Sequence, residues 1–389
     1  MVSRFIACSI GLAALSSAIA VSQAADAPAA AMPTPPPLAV KPAAASGANT
    51  ATANTASKPS ATAPAEDTRM LNEPRGVAID SKGVLYVADV GDSVVYKVTQ
   101  DGTATIFSDG TNPNATVANA PNAEPGFAGV SGVALDKDGN LYVADADNNM
   151  IRKITPAGVV STIGGKKDPD TFHGPTAVAV DTKGNVFVAD THGAAVIEIA
   201  SDGKTSVLAG APGSVYDSPV DGKGAAAGFG APRAIAVDGA GVVYVADEQF
   251  NDVRKIMPDG TVTTLAGDPK STDGKDVDGV GTKAVFTTPR GIAVDAKGNV
   301  YVADTDGNDV RKIAPDGTVT TFVGKANAAG YADGKGDVAR FASPRGLAMD
   351  KDGNLFVADS GNGLIRKVTP DGTVTTIKKP DAPKTTAAK

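Results

Sequence analysis

The sequence predicts an all-β protein built as a six-bladed β-propeller, and three observations lead to this fold class. The tripeptide Val-Ala-Asp occurs six times, with 45 to 57 residues between successive copies. An aromatic residue precedes every copy, and a strand-like apolar alternation follows it. Turn signals rich in Asp and Gly separate these segments. The aspartates that end the six tripeptides are Asp89, Asp145, Asp190, Asp247, Asp304 and Asp359.

Each repeated unit is predicted to contain four short strands. In the fifth unit they cover residues 291–294, 300–303, 310–313 and 319–323, and the turn 295–298 has the Asp-x-x-Gly pattern of a type I turn closed by a left-handed glycine. One such sheet cannot bury both of its faces, whereas six stacked sheets can. Residues 67–378 are therefore predicted to form one propeller domain.

The chain before the repeats is predicted to lie outside the fold. Residues 1–24 have a secretory signal pattern, in which Arg4 precedes an apolar run, and Ser22 and Ala24 supply the small residues of a cleavage site. The alternative is an uncleaved membrane anchor. Residues 25–66, rich in Ala and Pro, are predicted to be a disordered linker, and residues 379–389 a disordered tail. We expect an exported protein, periplasmic or secreted, with no transmembrane segment in the mature chain.

The composition excludes several classes of protein. The chain has a single Cys, located in the predicted signal peptide, and two His, so it can form neither an internal disulfide nor a Cys-based zinc site. Its formal net charge is −7 at neutral pH. An acidic, exported chain is a poor match for nucleic acid, which we do not expect as a partner.

The repeat motifs resemble the NHL-repeat family. The resemblance is carried by PRGIAVD at 289–295, GNVYVAD at 298–304 and DVRKI at 309–313, and related motifs recur in all six units over roughly 300 residues. The resemblance implies a propeller, often six-bladed, that serves mostly as a binding platform. Fold alone does not identify what is bound.

Arginine follows the proline that enters the first strand in four of the six units. This position should lie near the mouth of the central channel, where four guanidinium groups could bind a carboxylate or phosphate. The alternative is that each arginine pairs with a neighbouring aspartate. The residues are Arg75, Arg233, Arg290 and Arg345, with Ser131 and Thr176 in the other two units. A second arginine set on the third strands (Arg152, Arg254, Arg311, Arg366) is interpreted as a solvated or structural face.

Two other regularities favour structural roles. The repeated Asp of Val-Ala-Asp could form a ring of cation ligands, but it is more simply a cap that accepts backbone N–H bonds at the end of its own strand. A Phe-x-x-Pro pattern precedes the first strand in four units, and we expect its phenylalanine to fill the seam between adjacent blades. These phenylalanines are Phe172, Phe229, Phe286 and Phe341.

The long loops between units should share one face of the propeller with the loops between second and third strands, and we call this the upper face. Loops on a rigid scaffold are common sites of function. Three aromatic residues that the repeat pattern does not explain fall in these loops, and they are the natural anchors for a ligand there: Tyr216, Phe250 and Tyr331.

Both histidines belong to the third unit. His173 precedes its first strand, and His192 follows Asp190. The three residues could form a divalent metal site, or the histidines could serve as general bases. The alternative is two exposed loop histidines that lie near each other by chance.

The predicted function is a binding or scaffold module that takes a partner protein or a small, possibly anionic envelope ligand on its upper face. It requires no cofactor, although a divalent metal could bind. The alternative is a metal-assisted lactonase or lyase similar to the gluconolactonase and streptogramin-lyase propellers. The sequence departs from those enzymes because it lacks their set of axial acidic, Asn or His ligands. Only His173, His192 and Asp190 keep an enzymatic function open.

Overall fold

A computed structural model describes residues 70–111, 126–165, 171–271 and 274–377. The predicted signal peptide, linker and C-terminal tail lie outside these residues. Among the described residues, no helix has the length and apolar character needed to cross a membrane.

The described residues form six antiparallel sheets arranged as a ring, which confirms the predicted six-bladed β-propeller. In each sheet the four main strands follow one another in chain order from the channel outward. Blade one contains β1 (Pro74–Ile79), β2 (Leu85–Asp89), β3 (Val94–Val98) and β4 (Ala104–Ser108). Blade two contains β5 (Val130–Leu135), β6 (Leu141–Asp145), β7 (Met150–Ile154) and β8 (Val160–Gly164). Blade three contains β9 (Pro175–Val180), β10 (Val186–Asp190), β11 (Ala195–Ile199) and β12 (Thr205–Gly210).

The last three blades each gain a fifth strand at the outer edge. Blade four contains β13 (Gly222–Lys223), β14 (Pro232–Val237), β15 (Val243–Asp247), β16 (Asp252–Ile256) and β17 (Thr261–Ala266). Blade five contains β18 (Gly279–Val280), β19 (Pro289–Val294), β20 (Val300–Asp304), β21 (Asp309–Ile313) and β22 (Thr318–Gly324). Blade six contains β23 (Gly334–Lys335), β24 (Pro344–Met349), β25 (Leu355–Asp359), β26 (Leu364–Val368) and β27 (Thr373–Ile377).

These fifth strands come from the loops that enter each blade. The strands β13, β18 and β23 pair with the outermost main strand of their own blade, and a single 3-10 turn follows each of them. The sequence did not predict them, because two residues are too few to show a strand alternation. These turns cover Gly224–Ala226, Gly281–Lys283 and Gly336–Val338, and a fourth 3-10 turn, Ser360–Asn362, links β25 to β26.

The hydrophobic core lies between the blades. Phe286, for example, is buried with Ala246 and Val253 of blade four and with Val302 and Ile313 of blade five. The other phenylalanines of the Phe-x-x-Pro pattern are also fully buried in clusters that join two blades, which confirms their predicted place in the seams. Each blade is therefore stabilised by its neighbours rather than by its own sheet alone.

The first strands of the blades surround the channel, and each contacts the first strands of both neighbouring blades. Glycine permits this approach at the narrowest contacts. A Cβ atom on Gly291 would lie 1.7 Å from the Arg345 carbonyl oxygen, and one on Gly346 would lie 2.2 Å from the Arg75 carbonyl oxygen. A side chain at either position would force two strands apart.

Among the described residues, the ring closes between blades six and one without exchange of a strand, since all four strands of blade one are consecutive in the chain. The backbone N–H groups of Met70 and Leu71 each donate to the Gly363 carbonyl oxygen at 3.1 Å. Leu71 is buried in a cluster with residues of both blades. The Ser360 hydroxyl also donates to the Pro74 carbonyl oxygen.

Candidate functional site: the axial arginine mouth

The first residues of the inner strands surround an axial cavity of about 300 Å³. Five of the six inner strands begin with proline and β5 begins with Val130, and in every blade the next residue lines this cavity. Four arginines and two hydroxyl residues occupy that position: Arg75, Ser131, Thr176, Arg233, Arg290 and Arg345. We call this ring of six residues the axial mouth. The structure thus brings the four predicted arginines together around one cavity.

Two glutamates bridge the four arginines in pairs. Glu73 accepts hydrogen bonds from Arg75, with Nε at 3.1 Å and Nη2 at 2.9 Å, and from Arg345 Nη1 at 3.0 Å. Glu248 accepts from Arg233 Nε and from Arg290 Nη2, the latter at 2.6 Å. The partners are therefore shared glutamates rather than one neighbouring aspartate per arginine. Four guanidinium groups face two carboxylates, which leaves two positive charges in excess.

The electrostatics of the mouth reflect this excess. Burial alone would raise the pKa of Glu248, but the hydrogen bonds from Arg290 and Arg233 outweigh it and hold that pKa below its usual range. Burial lowers the pKa of Arg345, and the nearby Arg75 and Arg290 guanidinium groups lower it further. The Nε atoms of Arg290 and Arg345 are buried and have no hydrogen-bond partner among the described residues. The arginines at the mouth are thus close enough to repel one another.

The repeated aspartates of Val-Ala-Asp are all fully buried and accept backbone N–H bonds. Asp89 accepts from Asn72 at 2.8 Å and from Glu73 at 3.0 Å, and Asp359 accepts from Ala342 at 2.8 Å. The donors lie in the segment that enters the first strand of the same blade. These aspartates therefore fix the entry of the inner strand, including the glutamate and arginines of the mouth.

The structure brings the two histidines and Asp190 together on blade three. The His173 backbone N–H donates to Asp190 Oδ1 at 2.7 Å, and His173 Nδ1 lies 3.9 Å from Asp190 Oδ2. The His192 backbone N–H donates to the His173 carbonyl oxygen at 2.9 Å, and both histidines are exposed. Burial raises the pKa of Asp190, and its Oδ2 atom has no hydrogen-bond partner in the described part of the chain. The metal or general-base role of the three residues stays a prediction.

That role has a direct test in the melting temperature. If His173, His192 and Asp190 hold a divalent metal, we expect Zn²⁺ or Mn²⁺ to raise the Tm of the chelator-treated protein by several degrees, because ligands that bind only the folded state stabilise it. His192→Ala should then remove the shift. If neither Zn²⁺ nor Mn²⁺ raises the Tm, the metal site is contradicted, and the enzyme alternative loses its main support.

The three predicted aromatic anchors do not line the axial cavity. Phe250 is only 5% exposed, so it offers a ligand little surface. The Tyr331 ring lies over the Arg366 guanidinium at 5.2 Å, and Tyr216 packs against Gly228, where an added Cβ would lie 2.7 Å from the ring. None of the three aromatic residues therefore lies beside the arginines of the axial mouth in the lining of the cavity. Ligand binding by them stays a prediction.

The second arginine set is structural and fully buried rather than solvated. Arg366 Nη1 donates to Asp359 Oδ2 and to the Arg340 carbonyl oxygen, each at 2.8 Å. Its Nη2 donates to Asp333 Oδ1 and to the Ala332 carbonyl oxygen, each at 2.7 Å. Arg254 and Arg311 bind the matching loops of blades four and five. Each of these arginines ties the loop that enters a blade to the third strand of that blade.

One group of side chains was missed by the sequence analysis. Oxygen atoms of Asp276, Asp304 and Asp309 lie within 4.8 Å of one another, an arrangement that no other three His, Cys, Asp or Glu residues reach among the described residues. Burial raises the pKa of Asp309 to about 7, and the charge of Asp276 adds to the effect. The signal was present in the sequence, because Asp occupies the position of Asp309 in only two of the six units.

Family models for the NHL repeat match residues 71–93, 127–154 and 341–368, and the model of the Teneurin NHL domain matches residues 269–332. The NHL-repeat matches thus fall in blades one, two and six, and the Teneurin NHL domain match falls on blade five.

Curated relatives share parts of this chain. The chain is 33% identical over 132 residues to the chloroplastic protein SUPPRESSOR OF QUENCHING 1 of Arabidopsis thaliana, covering 32% of this chain and 12% of that protein. It is 33% identical over 151 residues to NHL repeat-containing protein 2 of Bos taurus, covering 36% and 21% respectively. The chain thus spans about a fifth or less of the length of these relatives.

Solved propellers share the fold at low sequence identity. An auxiliary nutrient binding protein from Bacteroides thetaiotaomicron matches with a TM-score of 0.58 and 17% identity, covering 79% of this chain and 69% of that chain. A streptogramin B lyase matches with a TM-score of 0.52 and 15% identity, covering 78% and 82%. A gluconolactonase from Xanthomonas campestris matches with a TM-score of 0.51 and 15% identity, covering 75% and 86%. The fold is therefore shared by binding proteins and by enzymes.

Proposed function

We propose that this chain, an NHL-repeat β-propeller, is a binding module that captures an anionic group at its axial mouth. The ligand would present a carboxylate or phosphate, either as a small molecule of the cell envelope or as an acidic group of a partner protein. The predicted signal peptide implies that the module acts outside the cytoplasm, in the periplasm or as a secreted protein.

The observation that carries this proposal is the excess of arginine over glutamate around one cavity. Arg75, Arg233, Arg290 and Arg345 present planar donors that match carboxylate and phosphate oxygens in pairs. Their side chains are 21% to 35% exposed, so a ligand can reach them while they remain partly shielded from water. Charged hydrogen bonds are stronger in such a partly desolvated site than on an open surface.

The size of the cavity also supports a small anionic group. Pockets for small ligands are commonly about 300–1,000 Å³ and combine apolar walls with a few well-placed polar groups. The axial cavity, at about 300 Å³, is at the lower end of that range, and Val77, Val178 and Ile235 contribute its apolar wall. The glutamates hold the arginines in place before the ligand arrives, which reduces the entropy lost on binding.

The test is calorimetric titration of the purified protein with inorganic phosphate, citrate and a short oligo-glutamate peptide. We expect at least one probe to bind, and the double variant Arg290→Ala with Arg345→Ala to weaken its binding by about 10- to 100-fold, since each charged hydrogen bond contributes about 1.5–3 kcal/mol. Unchanged affinity in the double variant, or no binding of any probe to the wild-type protein, would contradict the proposal.

A matched control separates the mouth from the overall charge. The side chains of Lys137 and Lys351 are 73% and 74% exposed and pair only with adjacent aspartates in the described structure. The variant Lys137→Ala with Lys351→Ala removes the same two charges. It should leave the affinity unchanged, because exposed charges away from the ligand are screened by salt. Equal weakening by both double variants would show a non-specific charge effect.

A further inference from the structure

Three aspartate side chains meet in blade five, where the second strand ends and the third strand begins. Asp304 ends β20, Asp309 begins β21 directly opposite it, and Asp276 comes from the incoming loop. The side chains of Asp276, Asp304 and Asp309 are at most 1% exposed. Gly307 makes room for this arrangement, since a Cβ atom there would lie 2.2 Å from Asp276 Oδ2. We call these three residues the blade-five carboxylates.

Three oxygen atoms of the blade-five carboxylates have no hydrogen-bond partner among the described residues. Asp309 is fully buried, and neither of its carboxylate oxygens has a hydrogen-bond partner among the described residues. The same holds for Asp276 Oδ2. Asp304, by contrast, is oriented by the backbone N–H groups of Thr287 and Thr288, at 2.7–3.0 Å. A buried carboxylate without a partner raises the free energy of the folded protein, so a positive charge bound beside these three aspartates would stabilise it.

The nearest arginine does not meet that need. Arg311 Nη1 lies 3.9 Å from Asp276 Oδ1 and 3.8 Å from Asp304 Oδ2, which is beyond hydrogen-bond distance. Its Nη1 donates to the Val285 carbonyl oxygen at 3.0 Å and its Nη2 to Asp278 Oδ1 at 2.7 Å, whereas its buried Nε has no hydrogen-bond partner among the described residues. One guanidinium held at this distance leaves three buried carboxylates without sufficient compensation.

The matching positions in the other blades provide an internal comparison. In blade six, Leu364 replaces Asp309, and Arg366 binds the remaining Asp359 directly at 2.8 Å. Blade two is similar, with Met150 at that position and Arg152 bound to Asp145 at 2.9 Å. In blade four, Asp247 and Asp252 are both present, but Pro219 stands where blade five has Asp276. Three carboxylates therefore meet in blade five, whereas two or fewer meet in these other blades.

We propose that the blade-five carboxylates bind one hard divalent cation, with Ca²⁺ as the best match. Three carboxylates with oxygens within 4.8 Å of one another supply the ligand type that Ca²⁺ prefers, and its coordination tolerates irregular geometry better than that of Mg²⁺. The Thr287 hydroxyl, which donates to Asp276 Oδ1, adds a further oxygen beside the group. A bound cation would join the incoming loop to β20 and β21.

The experiment measures the Tm of the chelator-treated protein by circular dichroism, with and without millimolar CaCl₂, and the stoichiometry by calorimetry. We expect a rise in Tm of about 3–6 °C and one Ca²⁺ per chain. Asp309→Asn removes one ligand charge at nearly constant volume and should abolish the rise. Asp252→Asn is the same substitution at the matching position of blade four and should leave the rise intact.

The outcomes distinguish Ca²⁺ binding by the blade-five carboxylates from binding at the blade-three histidines or at the axial mouth. The proposal is overturned if the wild-type protein shows no rise with Ca²⁺, or if the rise persists in Asp309→Asn. Should Asp309→Asn fail to fold, Asp276→Asn decides in the same way. His192→Ala should keep the Ca²⁺ response, and loss of the response in that variant would place the ion on blade three and overturn the proposal. Anion binding at the axial mouth uses different residues and is tested independently.

Discussion

Replacing Arg366 with alanine should lower the free energy of unfolding by about 3–5 kcal/mol, the usual cost of removing one partner of a buried ion pair. The guanidinium is fully buried, and its loss leaves Asp359 without its only nearby cation in the described structure. The substitution also removes two hydrogen bonds to the carbonyl oxygens of the incoming loop and the stacking over the Phe341 ring at 5.1 Å. Chemical denaturation followed by far-UV circular dichroism is the suitable measurement, since the chain has no Trp.

Two variants sharpen this measurement. Lys367→Ala changes the adjacent residue of β26, whose ammonium group lies 5.8 Å from the Phe356 ring, and should cost less than about 1 kcal/mol. Arg366→Lys keeps the charge but loses the planar pair of donors, so its cost should fall between the two. If Arg366→Ala lowers the free energy of unfolding by less than about 1 kcal/mol, the loop that enters blade six is held by its own packing rather than by Arg366.

The opposite result is expected for Asp252→Leu, which should raise the free energy of unfolding at pH 8 by about 1–4 kcal/mol. Asp252 is fully buried, and its carboxylate oxygens have no hydrogen-bond partner among the described residues. Leu364 occupies the matching position in blade six and is 1% exposed, so the fold accepts leucine there. Arg254 would keep its bonds to Asp221 and to the Gly228 carbonyl oxygen.

The gain should depend on pH in a defined direction. Burial, together with the charge of Asp247, raises the pKa of Asp252 well above its ordinary value of 3.8. The folded protein therefore binds this proton more tightly than the unfolded chain, and the resulting stabilisation is lost as the pH rises from about 4 toward the folded-state pKa. The advantage of leucine should thus grow over that interval. A variant less stable than the wild-type protein at pH 8 would contradict this account.

The sequence predicted the fold because the repeat determines it locally. Val-Ala-Asp, its preceding aromatic residue and an Asp-x-x-Gly turn repeat in every blade, so strand number and order follow from period and turn chemistry. The phenylalanines of the seams were predicted for the same reason. Ring closure was not predicted, because Met70 and Leu71 meet Gly363 across nearly the whole length of the domain, and no local pattern encodes such a contact.

The candidate site was predicted in part. The four arginines of the mouth could be found because they share one position of the repeat. Glu73 and Glu248 could not, since one precedes a first strand and the other follows a second strand, and only the folded ring brings them to the same cavity. The blade-five carboxylates were predicted even less: the sequence shows that Asp309 is unusual for its position in the repeat, but only the folded loop, which Arg311 binds, brings Asp276 beside it.

The join between blades six and one has a mechanical consequence. No described strand is exchanged across it, so the described part of the ring is held there by side-chain packing, a few backbone hydrogen bonds and the Arg75–Glu73–Arg345 bridge. This bridge is also part of the axial mouth. An anion bound by both Arg75 and Arg345 would link blade one to blade six. Ligand binding in the small axial cavity would therefore stabilise the closed ring against separation at this join.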